Sequence, residues 1–517
     1  MPNRSSPLPP AGMSPDSQHP ARLPPEAATG PEPAAPSHAH ASLGLRLTAA
    51  QARTLAERIA KAARRAARRG SSTLAGLTVA LELDLDPATV VFASRRMREP
   101  WFCFEQSDRE QVALGTLGSV VELTASGPSR FLEASQRWRR LVSEAFCDGA
   151  SFGAGLVAVG GFSFADDGAA DPEWHAFAPM SLHVPELALA RTAGRTFMTV
   201  AVNVSAGDET ETHMAAVGRR LAELRNPTVP APVAPTTGAT TVEVSSRRPE
   251  DDYRSAVAAA VDRIRGGELE KVVLAREIQV RATKPHSTAA VYRRLRERFP
   301  SCLVFCVGRG EDAFVAASPE LLVRREGLSV STVALAGSAP RSPDAGDDVR
   351  LGRDLLDSSK NRGEQSIVQR WIERALRPHC VWVVTPEKPE LTRIANIQHL
   401  ASPVRGRLVR PMSALHLAGI LHPTPAVGGE PLGQAKALIE SLEGFDRGWY
   451  AGAVGWLDSN EDGEFFVSLR SALLSGGLAR CYAGVGVVRD SDPEAELAET
   501  EFKLEALLPS LGLDRSP

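Results

Sequence analysis

The chain has 517 residues, a formal charge of −3, 43% hydrophobic and 23% charged residues. That length admits one large fold or two to four ordinary domains, with the apolar content of a soluble protein that buries a sizeable core. Near-balanced charge gives no general attraction to nucleic acid or acidic membranes, and six cysteines without a CxxC pair argue against a zinc ribbon or disulfide framework. Free thiols in a reducing cytoplasm are expected.

Residues 1–44 are dominated by Pro, Ala and Ser, which predicts a disordered tail. The opening "MPNRSSPLPPAGMSPDSQHP" lacks the apolar centre of a secretory signal, and no run of 18 apolar residues follows, so a cytoplasmic protein is expected. Leu55, Ile59, Ala63 and Ala66 share one face of a helix over 48–69 that Gly70 ends. Its seven Arg/Lys residues from Arg53 to Arg69 are read as a solvated face rather than a membrane or RNA arm. Over 45–225, the amino-terminal half, "TVVFASR", "SVVEL", "GLVAVGGFSFA" and "TFMTVAVNV" read as short strands. Residues 226–248 read as a Pro/Thr-rich linker or excursion. In the segment 249–511 a helix from "DDYRSAVAAAVDRIRGGELE" precedes the strands "KVVLAREIQV", "CLVFCVG", "AFVAAS", "LLVRRE" and "LSVSTVAL". Blocks of strands with interposed helices predict an α+β fold.

Five places carry chemistry. Lys271 heads an apolar strand; it either snorkels to water or stays desolvated and serves as a base. Glu320 follows Ser318-Pro319 between two apolar runs, as a turn carboxylate or a buried acid. Glu364 lies in the first turns of a helix, where an acidic side chain also compensates the helix dipole. Gly484 and Gly486 offer bare backbone to an anion. In "AELAETEFKL", Glu496 and Glu499 stand one turn apart, with Lys503 four residues beyond Glu499 and Leu497, Leu504 and Leu508 on an adjoining stripe. Either this is a solvated face with a Glu–Lys pair, or its carboxylates face a cation. A lysine, an acid, three further glutamates and no Cys/His cluster suit Mg²⁺ beside a small anionic substrate.

These stretches, with "ALAGSAPR", "SSKNRGEQSIV", "IANIQHLASPVRG", "LHPTPAVGG", "FDRGWYAGAVGW" and "FFVSLRSALL", resemble in order and spacing the chorismate-utilising enzymes. That family includes isochorismate, salicylate, anthranilate and aminodeoxychorismate synthases. The resemblance implies one large α/β sandwich, two packed β-sheets with helices outside. It implies Lys271 as the base that activates water, Glu320 as the acid for the departing hydroxyl, and Mg²⁺ held by Glu364 and Glu499 with Glu496 in support. It further implies Tyr450, Arg470 and the Gly484 amide on the enolpyruvyl carboxylate, Lys503 near the ring carboxylate, and His399, Gly337, Ala426 and Val427 lining the pocket. Two departures from the pattern are Gln365 in place of His and Ser338 in place of Thr.

Within the family, Ala336 removes the lysine that attacks covalently in aminodeoxychorismate synthases. Ala426 and Val427 replace the small polar pair of the ammonia-using type, so water is the expected nucleophile and no glutaminase partner is expected. The implied activity is isochorismate synthase, an isomerase acting on chorismate. Salicylate synthase is the alternative.

Overall fold

The computed structural model describes residues 41–106, 113–149, 151–226, 242–394, 397–505 and 507–513. Nearly all of the predicted tail and most of the predicted linker lie outside the described residues. Two antiparallel sheets dominate, of twelve and ten strands. In the strand Leu303–Gly310, Phe305 and Val307 belong to one buried core while Val304 and Cys306 belong to another. This period-two alternation makes the larger sheet apolar on both faces.

Phe104 of the larger sheet meets Phe466 of the smaller edge-on, with ring centroids 5.9 Å apart. On the far face of the larger sheet, helices Ala49–Arg69, Pro87–Ser94, Thr210–Ala222 and Thr288–Arg298 complete the second core. Helices Arg130–Glu144, Ser359–Leu376 and Ala414–Leu421 pack on strands of the smaller sheet. The fold is the expected α+β sandwich.

Both halves of the chain supply both sheets. Strand Arg98–Gln106 pairs with Leu303–Gly310 in the larger, and Val157–Phe162 pairs with Ala453–Asp458 in the smaller. The end of the expected linker departs from its reading: Val242–Ser246 forms an edge strand on Lys271–Ala282. At the other end, Ala41–Ser42 leaves the expected tail to pair with Arg225–Asn226.

The stretch "TVVFASR" is a helix rather than a strand. The Asp86 carboxylate accepts from Ala88 N at 3.1 Å and Pro87 takes the first helical position, so a strong N-terminal signal overrides the β-branched run. In the basic helix it is Ala62 that is buried with Leu55, Ile59 and Ala66, while Ala63 is half-buried. Arg58 donates from both terminal nitrogens to Asp148 at 2.7 Å, and Arg65 donates to Glu144 O at 2.7 Å. Part of the basic face is therefore used within the fold.

Candidate active site

A cleft enclosing about 920 Å³ opens where the strands Lys271–Ala282 and Leu478–Val487 of the larger sheet approach Ser329–Pro340 and Ile397–Leu408 of the smaller. Helices Ser359–Leu376 and Pro493–Glu505 and the 424–428 loop complete its walls. Glu320, Gly337, Glu364, His399, Ala426, Val427, Tyr450, Arg470, Gly484, Glu496, Glu499 and Lys503 all line it. Of the catalytic, substrate-binding and metal-binding candidates named from the sequence, only Lys271 is not among its lining residues. It is fully buried behind Glu364, with Nζ 2.9 Å from Glu364 Oε1. The contact is an ion pair without hydrogen-bond alignment.

Glu320 sits where the chain passes from the larger sheet to the smaller. Its amide donates to Ser318 Oγ at 3.2 Å and its carbonyl accepts from Val467 N at 3.0 Å, which holds the backbone on both sides. The side chain is 2% exposed. Burial pushes its carboxyl up to about 8, against the smaller opposing effects of Lys271 and the Thr424 hydroxyl. At neutral pH this is a protonated acid.

Arg470 is buried, stands at φ 49°, and has no carboxylate partner among the described residues. A non-glycine residue in the left-handed region and a buried guanidinium without a counter-ion are both costly, and here they coincide at the cleft wall. Arg470 Nη2 donates to His399 Nε2 at 2.9 Å, which assigns the imidazole proton to Nδ1, donating to Gly337 O at 3.3 Å. Burial and then Arg470 hold the imidazole down at about 3, so His399 is neutral and positions the guanidinium. Gly337 has φ 74°.

Glycines make room at two points. A Cβ on Gly484 would lie 2.9 Å from Tyr450 Oη; one on Gly486 would lie 2.2 Å from Glu364 Oε1 and 2.8 Å from Lys271 Cε. Tyr450 stacks on Tyr482 with ring centroids 5.2 Å apart, and burial raises its phenol, so it remains a donor.

Each of the three glutamates meets a lysine. Glu364 pairs with Lys271 at 2.9 Å, Glu496 with Lys360 at 2.7 Å and Glu499 with Lys503 at 2.8 Å. Burial raises Glu496 even against Lys360. Burial acts the same way on Glu499, but Lys503, Ser338 and Lys360 together hold it below the ordinary carboxylate range. Among the described residues no three acidic, His or Cys side chains form a ready-made metal cage. The hard oxygen donors nevertheless suit Mg²⁺, which needs only one or two protein carboxylates when waters and a substrate oxygen complete its shell.

Both departures from the family pattern have a visible role. Ser338 Oγ donates to Glu499 Oε1 at 2.5 Å, and buried Gln365 turns from the cleft to donate to Ser402 Oγ at 2.7 Å. Sequence reasoning missed Lys360 and Thr424. Lys360 stands in a quoted motif, but its partner is 136 residues away.

A sandwich with an acid, a lysine and an unpaired guanidinium at one cleft defines an enzyme for small anionic substrates. The chain belongs to the chorismate binding enzyme family, whose model matches residues 59–512. It is 37% identical over 447 residues to the salicylate biosynthesis isochorismate synthase of Pseudomonas aeruginosa, covering 85% of this chain and 92% of that protein. Isochorismate synthase MenF of Bacillus subtilis is 33% identical over 439 residues, covering 83% and 92%. The menaquinone-specific isochorismate synthase MenF from Escherichia coli has a similar structure, with a TM-score of 0.71, 27% identity, and coverage of 89% of this chain and all of that one.

Proposed function

We propose that this chain is an isochorismate synthase, converting chorismate to isochorismate by adding water at C2 as the C4 hydroxyl departs. The observation that carries the reading is Glu320, a carboxyl held protonated by burial in the same cleft as a guanidinium that has no carboxylate partner among the described residues. Lys271, as the free amine once its ion-pair proton has passed to solvent, takes a proton from water as the water oxygen bonds to C2. The ring double bond shifts, the C4–O bond breaks, and Glu320 delivers its proton to the leaving hydroxyl. One water enters and one leaves, so the product is an isomer.

In this reading Arg470 and the Tyr450 hydroxyl take the enolpyruvyl carboxylate and Gly484 admits the substrate to the backbone; all three line the cleft. The three glutamate–lysine pairs cancel, leaving Arg470 as the one uncompensated charge among these groups while Glu320 is neutral. Chorismate is a dianion, and Mg²⁺, which Glu364, Glu496 and Glu499 would hold, would supply the remaining positive charge. Glu364, the carboxylate that pairs with Lys271 here, would also be one of the residues to hold the cation.

Ala426 and Val427 offer no side-chain acceptor to ammonia, which favours water as the nucleophile without a glutaminase partner. The test is chromatography of the products from chorismate and Mg²⁺, with and without ammonium. Isochorismate is expected in both. Dominant aminated product would refute the water assignment, and dominant salicylate plus pyruvate would make the enzyme a salicylate synthase.

A further inference from the structure

Behind the loop that presents Ala426 and Val427 lies a buried ion pair. Glu443 ends the helix Leu432–Glu443, and Arg447 follows one turn later; they are 5% and 3% exposed. Arg447 Nε donates to Glu443 Oε2 at 2.8 Å, and Nη2 donates to Oε1. The same guanidinium reaches two separate backbones. Nη1 donates to Val427 O and Nη2 to Val273 O, both at 2.8 Å. Glu443 Oε1 in turn accepts from Ala275 N at 2.7 Å. Val273 and Val427 both face the cleft, and Val273 lies two residues along the strand from Lys271, on the same side by alternation.

One buried pair therefore spans from the strand that carries the base to the loop that walls the cleft. The link continues to Tyr450, whose amide donates to Arg447 O at 2.9 Å and whose ring centroid lies 5.9 Å from the guanidinium. A buried ion pair is a poor device for stability alone, because desolvation offsets its attraction and apolar side chains fill such space as well. Its advantage is geometric: a planar, multiply bonded guanidinium holds several acceptors at set separations.

We propose that Glu443 and Arg447 are positioning residues that set the separation between Val273 and Val427, and so hold the attacking water against Lys271. The inference rests on the isochorismate synthase reading. Three variants test it: Arg447→Lys, Glu443→Gln and the control Arg220→Lys. Arg220 is 1% exposed and donates to both Glu99 oxygens at 2.8 Å, but it lies on the helix Thr210–Ala222, outside the cleft. Melting temperature, kcat and KM for chorismate are measured for each.

A folded Arg447→Lys is expected to lose at least ~10-fold in kcat with KM changed less than ~3-fold, because the slot for water shifts while Arg470 is untouched and Tyr450 keeps its main-chain bond to residue 447. Glu443→Gln is expected to move in the same direction, and Arg220→Lys to keep its kcat despite a lowered melting temperature. Unchanged kcat in either folded test variant, an equal loss in the control, or failure of both test variants to fold would overturn the positioning role. The wild type is assayed alongside. If it makes no isochorismate the functional reading fails; if it does and the variants match it, only the positioning role fails.

Discussion

Gly486→Ala perturbs the contact between Lys271 and Glu364 without replacing either residue. The backbone at Gly486 is outside the left-handed region, so alanine fits the strand. Its Cβ, however, would stand 2.2 Å from Glu364 Oε1, where ordinary contact begins at 3.4 Å. The carboxylate must retreat by the difference, about 1.2 Å, and Lys271 Cε at 2.8 Å must give by about 0.6 Å. Both obstacles are far ends of flexible side chains, so overpacking should cost only about 1–3 kcal/mol and leave the fold intact.

Displacing catalytic groups by about 1 Å costs on the order of 100-fold in rate, or about 2.7 kcal/mol of barrier. The assay is initial rate at saturating chorismate and Mg²⁺, beside a melting curve. Gly218→Ala serves as the control, since its added Cβ meets nothing within 4 Å. We expect kcat about 100-fold lower for Gly486→Ala and unchanged for Gly218→Ala. A Gly486→Ala enzyme within twofold of wild type would refute the reasoning, because the two groups would then not need their observed placement.

The alkaline limb of kcat/KM should fall through about 8, where Glu320 loses the proton it donates, and Glu320→Gln should be nearly inactive at every pH. The same group makes stability decline as pH rises from 4.5 to about 8, since the unfolded carboxyl ionises first; a urea series of wild type against Glu320→Gln checks the sign. Arg470→Met should raise KM for chorismate by roughly 10- to 100-fold, the worth of a charged hydrogen bond, and an unchanged KM would remove Arg470 from carboxylate binding. EDTA should abolish turnover and Mg²⁺ restore it, with Glu499→Ala resembling the chelated enzyme; full activity in EDTA would end the metal assignment.

Much of the site is legible in the sequence because its parts sit in local settings that mark them. Lys271 heads a strand that opens with the four apolar residues Val272 to Ala275, and Glu320 falls between two apolar runs, so both stand out against their surroundings. The stretch around Glu499 keeps the i,i+4 pair of one reading, with Lys503 at 2.8 Å, but on the cleft wall rather than on a solvated face. Leu497, Leu504 and Leu508 are buried as their spacing implied. What remained hidden depended on partners distant in sequence. No local pattern joins Lys360 to Glu496, or Arg447 to Val273. Val242–Ser246 was obscured differently, since an alternating strand inside a Thr/Pro-rich stretch has too few large residues to stand out.

The sharing of both sheets by the two halves also bears on how the chain reaches its native state. Val157 pairs with Asp458, and Arg98 with Gly310, so the middle of each sheet is closed by residues 301 and 212 positions apart. Loop-closure entropy must be met before such contacts yield any stabilisation, and the relevant strands leave the ribosome far apart in time. The amino-terminal half therefore waits, with Phe104 and Phe162 uncovered and strand edges open, until the last third of the chain has been made. At synthesis rates of about 5–20 residues per second, that interval is on the order of 15–60 seconds for the smaller sheet. Expression of either half alone should yield aggregate, and chaperone supply during translation should govern how much active enzyme a cell obtains.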